Sequence, residues 1–175
     1  MPITPDDKNW TWVLERPCPE CGFVAADVER GDVGRLIREN AKTWPNVLGR
    51  DGVDVRPDDD TWSPLEYGCH VRDVYRIFLG RLDLMLTDDD PTFANWDQDV
   101  TAVDDDYRAQ DPALVATDLV GAASAIADRF DDVVGGQWER SGNRSDGSRF
   151  TVDSLSRYLI HDPVHHLVDV GATRI

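Results

Sequence analysis

The stretch "RYLIHDPVHHLVDV", residues 157–170, holds His161, His165 and His166, three of the four histidines in the chain. Residues four apart on an α-helix share a face, with Cβ atoms ~6 Å apart. His161 and His165 can therefore reach one metal ion at ~2.0–2.1 Å per Zn–N bond. His166 lies about 100° further round and suits a place behind the ligands or at the rim. The fourth histidine, His70 in "EYGCHVRD", can supply a third ligand from a facing helix, the way bundle metal sites are built. Three protein ligands leave a position open for chemistry. Two histidines at this spacing also arise by chance; the gathering of all four into two helical spots favours a metal. Pro163, between the proposed ligands, removes a backbone hydrogen bond and crowds the carbonyl of Leu159, which predicts a kink.

The cysteines carry a weaker signal. "CPECG" at 18–22 has the shape of a zinc knuckle, but a structural zinc needs four ligands and the chain has no second CxxC. Cys69 and His70 can complete a set with Cys18 and Cys21, which competes with the three-histidine reading. A thioredoxin-like role lacks its βαβ context. The plain alternative is a tight turn with partly buried thiols, Cys69 being a small core residue.

Around these groups, "ERSGNRSDGSRFT" offers Arg140, Arg144 and Arg149 to hold a carboxylate by bidentate contacts. Arg149, closest to the last helix, is the best candidate, and pairing with surface aspartates is the alternative for all three. Trp96 in "NWDQD" can wall a cavity or pin its loop, and Asp97 or Asp99 can back an imidazole N–H. Tyr158, one turn before His161, can line the cavity or pack in the core. There is no HExxH, and "GDVGRL" is too degenerate for a phosphate loop.

Four apolar-periodic segments must position these residues. The first spans Ala26 to Val47. The second opens at "TWSPLE", with Ser63 as N-cap, Pro64 at the first helical position and Glu66 completing a capping box; it continues through Met85. The third follows "QDP" at 110–112 and runs to Phe130, and the fourth runs from Val152 to Val170. A connection of about twenty residues between the second and third is long enough to cross a bundle. Strand signals are sparse, with one short extended piece near "SDGSRFTV". The expected fold is all-α, a four-helix bundle.

Composition narrows the functions. The 175 residues suit a single domain over 1–175, with 1–22 as an N-terminal extension carrying CPEC. A net charge of −16 disfavours nucleic acid and anionic membrane as partners. No apolar run suits a membrane span, the N-terminus lacks signal-peptide features, and three cysteines fit a reducing compartment. A cytoplasmic location is expected.

"WSPLEYGCHVRDV" and "YLIHDPVHHL", in a chain of this length, resemble the DinB-like superfamily, which includes thiol-dependent transferases and isomerases. The resemblance runs from Phe23 to Val170. It implies an up-down-down-up bundle with its long crossover between helices 2 and 3. It also implies a divalent metal, zinc first and nickel second, on His70, His161 and His165; His166 and Asp97 are, from their positions, the candidates behind them. Arg149, Tyr158 and Trp96 are then the candidates for substrate or cofactor binding. The "CPECGF" segment departs from the general pattern.

The activity expected is S-transfer from a low-molecular-weight thiol to an electrophilic small molecule. Arginine-rich, GC-type residue usage and the CPECGF start make a mycothiol-like thiol the first choice. A metal-dependent hydrolase and a non-catalytic, stress-related metal-binding bundle are the rivals. Small-molecule substrate and thiol are the expected partners, with a homodimer left open.

Overall fold

The first apolar-periodic stretch does not form one helix. In the computed structural model, which describes residues 9–173, it is divided into 3-10 turns at Ala25–Asp27 and Arg30–Asp32, α1 (Val33–Ala41) and α2 (Trp44–Leu48). Pro45 explains the break: it has no N–H, and its ring crowds the carbonyl of Ala41 four residues back. Trp44 closes the gap by burying its indole and donating to Asn40 Oδ1 at 3.1 Å.

The helix that carries His70, α3 (Pro64–Thr87), starts as the sequence predicts. The Ser63 hydroxyl accepts from the Glu66 N–H at 3.3 Å, and the Glu66 carboxylate accepts from the Ser63 N–H at 2.9 Å. Arg56 grips the same carboxylate through Nε at 2.9 Å.

The long connection has structure of its own. It contains β1 (Thr92–Phe93), α4 (Gln98–Asp104) and a 3-10 turn at Tyr107–Ala109. After it, Asp111 caps α5 (Pro112–Asp131), its carboxylate accepting from Ala113 N at 2.8 Å. Then β2 (Ser141–Arg144) and β3 (Arg149–Thr151) form a small sheet with β1, order β1-β2-β3, parallel then antiparallel. Gly142 in β2 is pressed so close to Met85 and Phe93 that a Cβ would lie 2.7 Å from Met85 Cγ. The sheet is what the sparse strand signals understate, because its strands are two to four residues long. Thr151 caps the last helix, α6 (Val152–Asp169), which continues through Pro163.

Both α5 and α6 pack against α1 and α3, closing a four-helix bundle of the expected class. Its core includes Trp44, Tyr75, Leu82, Leu119, Phe130 and Leu155, all essentially without solvent contact. Burial of such side chains at about 1.5–3 kcal/mol each holds the framework. A 3-10 turn at Trp10–Leu14 lies against α6, so the described part of the N-terminal extension is packed on the bundle. Residues 1–8 of that extension lie outside the described residues. Among the described residues, no helix is long and apolar enough to cross a membrane.

Candidate metal centre

His70 sits two turns into α3, and its imidazole is buried under Trp62 and Trp96. The Trp96 indole stacks on it at 5.3 Å and 8° between planes. The ring does not look toward His161 and His165. It faces the residues that follow each of those two, Asp162 and His166. His70 Nε2 lies 3.3 Å from Asp162 Oδ2 and from Oδ1, and His166 Nε2 lies 3.7 Å from Asp162 Oδ1. The ligand atoms of His70, Asp162 and His166 all fall within 4.8 Å of one another. Around a tetrahedral zinc, neighbouring N and O ligands stand about 3.4 Å apart, so the spacing suits one ion.

This grouping differs from the three-histidine set expected from the sequence. Among the described residues, donors converge in two sets: His70 with Asp162 and His166, and His161 and His165 with Cys18 and Cys21. The reason is rotational. Positions 161 and 165 share one face of α6, positions 162 and 166 share the next, about 100° away. The packing of α6 on α3 turns the second face toward His70. His166 thus falls in the donor set with His70, and Asp162 is the residue that sequence reasoning passed over, although its i, i+4 spacing to His166 was readable.

The electrostatics fit a cation. Burial pushes the Asp162 carboxyl up, but the imidazoles of His70 and His166 outweigh that and hold it well below the usual carboxylate range. Two polar atoms of the set, His70 Nδ1 and Asp162 Oδ1, are buried without a hydrogen-bond partner. Oδ1 has only the two imidazole nitrogens beside it, at 3.3 and 3.7 Å, and an ion is one partner that suits it. Behind the set, His166 Nδ1 hydrogen-bonds Asp169 Oδ2 at 2.7 Å. A carboxylate there fixes the ring and leaves Nε2 facing the site.

The set opens on a cavity of about 530 Å³ that Asp162 and His166 line, together with Trp62, Tyr67, Trp96 and Tyr158. Trp96 also donates to Thr101 Oγ1 at 2.7 Å within the crossover, and its stacking on His70 ties the crossover to the site. Tyr158 is one turn before Asp162, and its hydroxyl accepts from Arg144 Nη1 at 3.3 Å. Arg144 and Arg81 also line the cavity. Burial, with Arg144 nearby, pulls Arg81 down to about 10, so it stays cationic at neutral pH.

Other expectations land elsewhere. Arg149 is on the exposed side of β3, tied to Asp90 at 2.9 Å and to Asn143 and Ser141, and Arg144 takes the cavity position in its place. Arg140 donates to the Met85 and Asp88 carbonyls at the end of α3. Asp97 is the N-cap of α4, its carboxylate accepting from Asp99 N and Val100 N, and it backs no imidazole. Cys69 is fully buried, its thiol 3.8 Å from the Tyr107 carbonyl, apart from Cys18 and Cys21.

The sequence model of the DinB superfamily matches residues 26–169. The chain belongs to the DinB superfamily. A solved DinB-like structure, YfiT from Bacillus subtilis, superposes with a TM-score of 0.73 over 81% of this chain and 83% of that one, at 18% identity. It is described as "a probable metal-dependent hydrolase with an unusual four-helix bundle topology". No curated protein matches the chain. The DinB match thus spans all four bundle helices and begins after the CPEC turn.

Proposed function

We propose that this DinB-superfamily chain is a metal-dependent enzyme whose divalent ion is held by His70, Asp162 and His166. The convergence of these three donors at the edge of a cavity of about 530 Å³ carries the reading. Two imidazoles and a carboxylate make a three-ligand set of the kind that leaves a position free for a reactant. A divalent ion there supplies a Lewis acid that lowers the pKa of a thiol or a water at neutral pH.

The residues around it serve transfer of a thiol to an electrophilic small molecule. Arg81 and Arg144 offer cationic donors for a carboxylate on the thiol or the substrate. Trp62, Tyr67 and Trp96 shield the reacting atoms from bulk water and give flat apolar walls to an organic substrate. Asp169 holds the His166 ring through Nδ1. A mycothiol-like thiol is the first to try.

Hydrolysis is the second reading, favoured by the description of YfiT as a metal-dependent hydrolase. The two separate cleanly. Purified protein is assayed with a model electrophile with and without added thiol, and with a model ester alone. Turnover that requires the thiol and disappears in His166→Ala supports transfer. Ester cleavage without thiol, lost in the same variant, supports hydrolysis. Metal content unchanged in both His70→Ala and His166→Ala overturns the site itself.

A further inference from the structure

Four strong donors lie outside that ligand set, although two of them, His161 and His165, also line the cavity. Cys18, Cys21, His161 and His165 are each no more than 8% exposed, and their ligand atoms lie within 4.8 Å of one another. We propose that they form a second, closed metal site, a Cys2His2 zinc centre that fastens the N-terminal segment to α6.

The local structure is that of a ligand turn. In "CPECGF" the Cys18 carbonyl accepts from Gly22 N at 2.7 Å, and Cys18 N donates to the Phe23 carbonyl at 2.9 Å. Gly22 has φ +69°, a left-handed conformation that glycine adopts without a Cβ penalty. The turn brings both sulfurs to α6, where His161 and His165 stand one turn apart. Cys18 Sγ lies 3.7 Å from His165 Nδ1. Across a tetrahedral zinc with bonds of ~2.3 Å to sulfur and ~2.0–2.1 Å to nitrogen, that distance is about 3.6 Å.

Two further observations point to an ion. His161 Nε2 is buried without a hydrogen-bond partner, although the residue is only 4% exposed. His165 shows the arrangement expected behind a metal-bound ring: with Nδ1 toward the sulfur, its Nε2 faces Glu20 at 3.4 Å and Asp169 at 3.9 Å. Trp10 covers both imidazoles, with ring centroids 5.5 and 5.2 Å away.

Donor chemistry selects the metal. Two thiols and two imidazoles favour zinc over magnesium or calcium, and binding releases the thiol protons. Four protein ligands leave no open position, so the site is structural. Its place in the fold gives it a consequence for the other set. The ligand pair 161/165 alternates with the pair 162/166 along the same helix. An ion on the first pair fixes the rotation of α6 that aims Asp162 and His166 at His70.

The test combines metal counting with cobalt spectroscopy of the full chain. Zinc-loaded protein is expected to carry two ions per chain by native mass spectrometry. A Cys18→Ser/Cys21→Ser double variant is expected to carry one, and so is a His70→Ala/His166→Ala double variant. Because the cysteine variant can lose its fold along with its metal, the unaltered protein refilled with Co²⁺ is decisive. Thiolate-to-cobalt charge-transfer absorption in the near ultraviolet, retained in His70→Ala/His166→Ala, supports the site. Absence of that absorption overturns it, as does a Cys18–Cys21 disulfide in peptide maps of protein purified under reducing conditions. Absence of the band with metal still lost from His70→Ala/His166→Ala overturns this centre alone. A band with no metal lost from that variant instead overturns the catalytic reading and leaves this centre standing.

Discussion

The rings of His165 and His166, neighbours in the chain, stand at 89° with centroids 5.7 Å apart. One faces Cys18 and the other faces Asp162. A single peptide step on α6 thus divides two donor sets, and Asp169 reaches both rings, at 3.9 Å from His165 Nε2 and 2.7 Å from His166 Nδ1.

That shared carboxylate makes a prediction. Removing a partner behind a metal-bound imidazole typically costs 10–100-fold in affinity. Asp169→Ala is expected to weaken zinc binding by about that factor at the His166 set, measured by competition with a chromogenic chelator. An affinity equal to the wild type would mean that Asp169 orients neither ring.

A second prediction concerns the arginines. Arg144→Met or Arg81→Ala is expected to raise KM for an anionic thiol or substrate about tenfold or more, because a charge-assisted hydrogen bond is worth ~1.5–3 kcal/mol. Arg149→Ala should leave KM unchanged, since Arg149 is engaged on the outer face of the sheet. Steady-state kinetics with charged and neutral substrates decide it. An equal effect of all three would contradict the cavity assignment.

Acid sensitivity should be traceable to Asp73. Its carboxylate accepts from Arg72 Nε and Nη2 at 2.9 and 2.8 Å and from the Tyr107 hydroxyl at 2.7 Å. Burial pushes this carboxyl up, but Arg72 and Tyr107 outweigh that and hold it below its ordinary range. A depressed folded pKa gives stability that is present above the unfolded value of about 3.9 and is lost as pH falls through the folded value. Asp73→Ala is expected to cost about 3–5 kcal/mol at neutral pH by stranding buried Arg72. It should also remove that part of the acid loss, as read by urea unfolding at several pH values. An unaltered acid limb would assign the sensitivity elsewhere.

Cys69 should be inert. Burial pushes its thiol up to about 12, so at pH 8 only about one molecule in ten thousand carries the thiolate. Folded protein treated with iodoacetamide at that pH should show no alkylation of Cys69, and denatured protein should show it fully. Rapid labelling in the fold would place the residue outside the core.

The bundle was legible because its signals are local. Ser63, Pro64 and Glu66 specify the start of α3 through contacts within one turn, and apolar spacing marks which face of each long helix is buried. Pro45 is equally visible in the sequence, but the continuous periodicity from Ala26 to Val47 hides its effect, and the helix breaks just before it, between Ala41 and Trp44.

What the sequence determined by itself was the inventory: four histidines placed on two helices, a CxxC turn ahead of the bundle and a net charge of −16. Helical spacing paired 161 with 165, and the same spacing between 162 and 166 was there to be read but was passed over. Which pair meets His70 and which meets Cys18 and Cys21 was decided only by tertiary structure. The rotation of α6 about its axis is set by how its side chains pack against α1, α3 and the N-terminal turn. A rotation of about 100°, which no local pattern encodes, exchanges one donor set for the other.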